Sequence, residues 1–380
     1  MKYHNFPIRR RIKSFDPTSL VKNYTVASPV VTDSYVVKNS FTGFTFQPQL
    51  LNNVQNRGYL TPTPIQDQCI PALLAGKDIV GLANTGTGKT AAFLLPFIQK
   101  IVSDKSQKLL IVAPTRELAG QIEQEFRLFT RSINIYSALC IGGVGMVSQI
   151  RNLSRNPNLV VGTPGRLMDL EKRRNINFSQ YNNVVLDEVD RILDMGFIRD
   201  ITYIVSHLSP NRQSAFFSAT IPDGVKRIMN SFLKNPITIS VKSSDHLDNV
   251  SQDIVKTFGK PKINVLHDLL IQKGFDKVLV FGRTKWGLEK LAKDLMVRGF
   301  RVLAIHGNKS QSQRQYSLDQ FKNNRVKVLL ATDVASRGLD IDSITHVINY
   351  DLPESYEDYI HRIGRTGRAD KKGVALTLVD

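Results

Sequence analysis

Asp78-Ile79-Val80-Gly81-Leu82-Ala83-Asn84-Thr85-Gly86-Thr87-Gly88-Lys89-Thr90 runs from a short apolar stretch through a Gly/Thr loop into the apolar helical run Ala91–Ile98. That strand–loop–helix order is the context a phosphate loop needs. Glycines let backbone N–H groups curl around phosphate oxygens, Lys89 reaches the outer phosphates, and the Thr90 hydroxyl can ligate Mg²⁺. A second apolar strand, Val184-Val185-Leu186, ends in Asp187-Glu188-Val189-Asp190. At a sheet's carboxyl edge Asp187 can hold Mg²⁺ and Glu188 can orient and deprotonate an attacking water. Far downstream, His361-Arg362-Ile363-Gly364-Arg365-Thr366-Gly367-Arg368 concentrates cations. Its two glycines cost helix stability and point to close backbone approach, and arginine suits bidentate phosphate contact. The nucleotide site is thus divided between two halves of the chain and is complete only when they close together.

Working outward, short apolar runs alternate with amphipathic stretches from Phe41 onward. Strands are expected at Asp78–Leu82, Leu109–Ala113, Ile135–Leu139, Leu159–Gly162, Val184–Asp187 and Ala215–Ser218, with helices such as Glu117–Thr130 and Asp190–His207 between them. The pattern lapses into a polar linker over 241–250. It restarts with strands at Val278–Phe281, Val302–Ile305, Val328–Ala331, His346–Asn349 and Val374–Leu378 and helices at Gly287–Val297 and Gln311–Lys322. This predicts an α/β chain of two similar doubly wound parallel-sheet domains, 41–240 and 251–380. The sequence stops at Asp380, right after an expected strand, so a final covering helix is expected to be missing from it. Residues 1–40, interrupted by Pro7, Pro17 and Pro29, read as an irregular, flexible basic extension.

Composition bounds the function classes. The 380 residues are 42% hydrophobic and 22% charged, which fits a soluble globular chain and not a disordered one. No apolar run reaches membrane-spanning length. Cys69 and Cys140 lack the paired spacing of a zinc site and read as small buried residues in a reducing compartment. The net charge of +18 calls for a polyanionic partner. The seven Lys/Arg and two acids of residues 1–40 carry only a fraction of it, so the partner meets the folded domains too. Charge alone fits RNA, DNA or an anionic membrane equally.

Taken together and in this order, these segments resemble the DEAD-box family of ATP-dependent RNA helicases, with a bacterial flavour. The resemblance covers the chain from Phe41 onward and implies two RecA-like domains of a P-loop NTPase in helicase superfamily 2. Gly58-Tyr59-Leu60-Thr61-Pro62-Thr63-Pro64-Ile65-Gln66 is similar to the family's adenine-recognising element, with Phe41 as its upstream aromatic. The resemblance then implies that ATP meets Phe41, Tyr59, Gln66, the loop residues Thr85, Gly86, Thr87, Gly88, Lys89 and Thr90, and Gly338 and Asp340. Catalysis falls to Lys89, Asp187, Glu188, Arg365 and Arg368, and Mg²⁺ to Thr90 and Asp187. Ser218 and Thr220 of Ser218-Ala219-Thr220 couple hydrolysis to strand separation. RNA contacts are implied for Pro114, Thr115, Arg116, Gly143, Thr163, Pro164, Gly165, Arg166, Gly307, Gln311, Arg314 and Thr332. Backbone N–H groups, hydroxyls and arginines of this kind grip a sugar-phosphate backbone without reading bases.

Three positions depart from the family pattern. Val189 replaces the alanine of Asp-Glu-Ala-Asp, which predicts tuning and not loss of activity. Ala83 opens the phosphate loop where the general motif has glycine. Phe281-Gly282-Arg283-Thr284 replaces an apolar–Asn–Thr pattern. The expected function is local, ATP-driven unwinding of short RNA duplexes or remodelling of RNA–protein complexes. The expected setting is a cytoplasmic monomer off the membrane, serving ribosomal or RNA-decay assemblies. An ATP-gated RNA clamp and a DNA-directed translocase are the competing readings.

Overall fold

The computed structural model describes residues 35–84, 86–241, 249–336, 341, 343–367 and 371–380. Two sheets organise it. The first joins β1 (Ile79–Leu82), β2 (Leu109–Val112), β3 (Ser137–Cys140), β4 (Leu159–Gly162), β5 (Asn183–Leu186), β6 (Gln213–Ser218) and β7 (Ile237–Ser240) in the order β3-β4-β2-β5-β6-β1-β7. The second joins β8 (Val250–Lys256), β9 (Val278–Phe281), β10 (Val302–Ile305), β11 (Val328–Ala331), β12 (His346–Asn349) and β13 (Gly373–Val379) in the order β10-β11-β9-β12-β13-β8. Every pairing is parallel.

The apolar runs explain why. In β2, Leu109 and Ile111 enter one core cluster while Leu110 and Val112 enter another on the opposite face. In β9, Val278 and Val280 face one cluster, Leu279 and Phe281 the other. Successive strand side chains point to opposite faces, so a continuous apolar run demands a sheet covered on both sides.

Strand order positions the site. β5, β6 and β1 lie side by side, so the segments after them (Asp187-Glu188, Ser218–Thr220 and the phosphate loop) share one carboxyl edge. β3, β4 and β2 occupy the other end and present Gly142-Gly143, Thr163–Arg166 and Pro114–Arg116. This is the edge at which open α/β sheets bind ligands.

Some boundaries differ from expectation. The third strand lies at Ser137–Cys140, because a turn in which Ile135 N donates to Ile133 O precedes it. The helix expected over Asp190–His207 is two, Val189–Asp194 and Ile198–Ser206, parted where Gly196 adopts φ 80°. β7 is an additional edge strand, exposed at three of its four residues. The expected extension lies mostly, and the linker largely, outside the described residues. No described helix is long and apolar enough to cross a membrane. Cys69 and Cys140 are both buried and unbridged.

Candidate active site

The phosphate loop is held by its neighbours. Lys89, first residue of the helix Lys89–Ser103, is buried, and its Nζ donates to Ala83 O at 2.9 Å. Gly88 caps that helix at φ 93°, and a Cβ there would stand 2.5 Å from Gln66 Nε2. Only glycine combines that conformation with that approach. Thr63 Oγ1 donates to Thr87 O at 2.8 Å, and Gln66 Nε2 donates to Gly88 O at 3.1 Å. Gln66 Oε1 accepts from Thr63 N, so the predicted adenine-reading amide also braces the loop. These bonds use one N–H and one lone pair of the amide and leave one of each for a ligand edge. Thr90 is half-buried in the first helical turn.

The predicted ATP aromatics are packed. Phe41 is buried in edge-on contact with Phe44 and Tyr59, and half-buried Tyr59 also meets Phe129 edge-on at 5.5 Å. Phe41 is thus packed away from solvent against Tyr59. Upstream, Asp67 (2% exposed) accepts Tyr35 Oη at 2.6 Å, Lys38 N at 2.9 Å and both Asn39 N and Nδ2. This carboxylate fastens residues 35–39 to the helix Pro64–Leu74 that carries Gln66.

The acids are buried. Asp187 is 2% exposed; burial pushes its carboxyl up to about 6 against the pull of Lys89. Its Oδ1 accepts Glu188 N at 2.9 Å. A buried carboxylate in need of positive charge, with a hydroxyl at Thr90, is a donor set that fits a divalent cation. Glu188 stands in the left-handed region at φ 50°, a conformation costing about 1 kcal/mol or more outside glycine. Its Oε2 pairs with buried Arg191 Nη1 at 2.7 Å. Val189 is fully buried in the core cluster that also holds Leu186 and Phe216.

Asp190 joins these acids to β6. Its Oδ2 accepts Ala219 N, Thr220 N and Thr220 Oγ1 at 3.0–3.2 Å, while Ser218 Oγ receives Asp190 N and donates to Thr220 O. Asp190 was not among the predicted site residues; its signal was its place closing the acidic quartet. Of the second-half residues, Arg365 is buried, with Nε donating to His361 O at 3.3 Å. Arg362 forks onto both oxygens of Asp333 at 2.6 and 2.7 Å and lies over the Phe281 ring, tying the segment after β11 to the arginine helix Tyr356–Ile363. Thr85, Gly338, Asp340 and Arg368 lie outside the described residues.

A cleft of about 460 Å³ crosses the two halves. Eight predicted RNA residues line it: Pro114, Thr115, Arg116, Thr163, Gly165 and Arg166 from the first half, Gly307 and Arg314 from the second. Thr115 Oγ1 also caps its helix by accepting Leu118 N. Gly143, at φ 77°, leaves room that a Cβ would take from the Arg116 guanidinium. Arg166 Nη1 donates to Val144 O. Pro164 is buried at the start of the helix Pro164–Lys172, and Thr332 is half-buried after β11. Gln311 does not line the cleft: its Nε2 donates to Glu117 Oε1 at 3.2 Å, and Arg314 Nε lies 2.9 Å from the same oxygen. Buried Glu117 is thus a junction between the halves that sequence reasoning missed, because nothing local marks an acid whose partners lie in another domain.

Residues 63–228 match the DEAD/DEAH box helicase family and residues 261–370 the helicase conserved C-terminal domain. The ATP-dependent RNA helicase CshA of Listeria monocytogenes is 44% identical over 342 residues, covering 89% of this chain and 66% of its own length. The DEAD-box ATP-dependent RNA helicase CshA of Geobacillus kaustophilus is 42% identical over 333 residues, covering 87% and 71%. The chain spans about two thirds of the length of these relatives. Among solved structures, S. cerevisiae Dbp5 bound to RNA and ADP BeF3 superposes with TM-score 0.80 at 30% identity, covering 90% of each chain. A DEAD box protein of Methanococcus jannaschii is more identical, 37%, yet scores 0.54 over 90% of this chain and 94% of its own. With two RecA-like sheets, a phosphate loop beside paired acids and these similarities, the chain belongs to the DEAD-box family of ATP-dependent RNA helicases.

Proposed function

We propose that this chain hydrolyses ATP in response to RNA, and that domains 41–240 and 251–380, joined by a linker at 241–250, close on single-stranded RNA to open short duplexes or remodel RNA–protein complexes. The observation that carries this reading is the cleft to which the first half brings Arg116, Arg166, the Thr115 and Thr163 hydroxyls and two helix starts, and the second half Gly307 and Arg314. Those groups suit a sugar-phosphate backbone and predict little sequence preference. The likeness, over nine tenths of each chain, to Dbp5 bound to RNA and ADP BeF3 supports closure as the working state.

In this reading Gln66 pairs with the adenine edge, backed by Tyr59 and Phe41, while Gly338 and Asp340 meet the ribose and phosphates. The loop N–H groups of 85–90 cradle the phosphates, and Lys89, Arg365 and Arg368 stabilise charge on the transferred phosphoryl group. Thr90 and Asp187 would hold Mg²⁺, which supplies positive charge to the outer phosphates. Glu188 turns from Arg191 to orient the attacking water and take its proton. Asp190 passes the state of the acids to Ser218 and Thr220. A monomer in the cytoplasm, acting on ribosomal or RNA-decay assemblies, is the setting this chemistry fits, with residues 1–40 as an auxiliary basic extension.

The test is steady-state ATP hydrolysis by the purified chain alone, with single-stranded RNA and with DNA of matched sequence. Stimulation by RNA only is expected, because 2′-hydroxyls distinguish the two. Equal stimulation by DNA would move the chain to the translocase class, and RNA binding without turnover would make it a clamp.

A further inference from the structure

The chain contains one tryptophan, Trp286, and it is 72% exposed. Single exposed apolar side chains are ordinary on protein surfaces, so its surroundings must decide its meaning. It stands in the first turn of the helix Lys285–Val297, whose buried face is Leu288, Leu291, Ala292 and Leu295 and does not include it. Thr284 Oγ1 caps that turn by accepting Gly287 N at 3.0 Å, which fixes the start of the helix at the carboxyl end of β9. β11 and β10 follow β9 in the sheet, so this turn shares an edge with the loop after β10, where Gly307 lines the cleft. Lys285 Nζ donates to Asn308 Oδ1 at 2.9 Å and ties the two loops directly.

The charge around the ring is positive. Arg283, Lys285 and Lys290 are exposed beside it. The nearby acids are already engaged: Glu289 Oε1 lies 2.6 Å from both His306 Nε2 and Lys309 Nζ, and Asp351 Oδ2 accepts Arg283 N at 2.8 Å. An open aromatic face among cations, at the rim of a backbone-gripping cleft, is the arrangement by which proteins hold single strands: phosphates on the cations, a base on the ring.

We propose that Trp286 is a base-stacking platform for single-stranded RNA at the second-half rim of the cleft, with Arg283, Lys285 and Lys290 meeting the flanking phosphates. The proposal rests on the cleft being the RNA site. It adds a contact that needs a base, where the cleft itself grips the backbone. Because every base offers a π-face, the contact raises affinity without selecting sequence.

Since Trp286 is the only tryptophan, selective excitation reports this side chain alone. Titrating the full chain with unstructured RNA in the presence of ATP analogue should quench its fluorescence saturably, in step with binding read by the anisotropy of labelled RNA. Trp286→Ala should bind that RNA about 5- to 150-fold more weakly, the range expected for one stacked base. Trp286→Phe should recover part of the loss. The difference between Trp286→Ala and the parent chain should shrink on RNA carrying abasic sites, because a phosphate contact survives base removal and a stack does not. Unchanged fluorescence at RNA saturation, or normal affinity in Trp286→Ala, while RNA still stimulates ATP hydrolysis, would overturn this inference and leave the helicase reading intact. Failure of the parent chain to bind RNA would overturn both.

Discussion

At the scale of single residues, Glu188 is the base of the proposed mechanism, and the structure holds it in place. Its backbone is in a left-handed conformation and its carboxylate is tied to Arg191 inside the protein. Glu188→Gln keeps the shape and a hydrogen-bond acceptor but removes the base. Hydrolysis should fall about 10²- to 10⁴-fold while ATP and RNA binding persist, as single-turnover kinetics and equilibrium binding can show. Normal turnover in that variant would remove Glu188 from its role. Its neighbour Val189, expected from the sequence to depart from the family's alanine, is accommodated by packing. The side chain is fully buried, so Val189→Ala, which restores the usual alanine, removes two methyl groups from a filled core. It should cost about 2 kcal/mol in denaturant unfolding with ATP hydrolysis retained; abolished hydrolysis in a folded variant would contradict the view that valine only tunes.

At the scale of elements, the segment 35–39 and the helix Pro64–Leu74 are joined through one carboxylate. Burial works against the charge of Asp67, but the bonds from Lys38, Tyr35 and Asn39 outweigh it and hold the carboxyl below its ordinary 3.8. A depressed folded value means the charged form docks the segment. That stabilisation is present above 3.8 and is lost as pH falls through the lower, folded value. Amide exchange at Lys38 and Asn39 should therefore rise on acidification below that range, beyond the intrinsic pH trend. Asp67→Ala should release the same amides at neutral pH. Full protection in that variant would show that the segment is held by something else. The helices expected at Glu117–Thr130 and Gly287–Val297 were legible in the sequence as amphipathic stretches and lie at Arg116–Phe129 and Lys285–Val297. The partner of Asp67 was not, because it lies about thirty residues upstream in an irregular stretch with no period.

At the scale of the whole molecule, the two halves meet where buried Glu117 receives Gln311 and faces Arg314. Burial depresses the Arg314 guanidinium below its ordinary value, against the pull of Glu117. Removing the acid leaves a half-buried cation without that partner, a loss costing about 3–5 kcal/mol for fully buried pairs and less where solvent reaches. Glu117→Ala should thus open the halves. A distance reporter between them should show less closure at saturating ATP analogue and RNA, with ATP hydrolysis needing more RNA to reach its plateau. Unaltered closure would assign the junction to packing alone.

What the sequence determined by itself was the set of chemical parts and the class of fold. Short continuous apolar runs forced parallel strands covered on both faces, and the Gly/Thr loop, the acids and the arginines each carried recognisable local chemistry. Tertiary structure decided which parts are neighbours. The order β5-β6-β1 sets Asp187, Ser218 and the phosphate loop along one edge, and β3-β4-β2 collects the cleft loops at the other. It also gave several predicted ligand contacts partners within the protein: Gln66 on Gly88, Phe41 against Tyr59, Gln311 on Glu117. The physical reason is that periodicity encodes which face a side chain takes within its own element. Strand order and domain contact arise from pairings between segments far apart in the chain, and no local pattern carries their register.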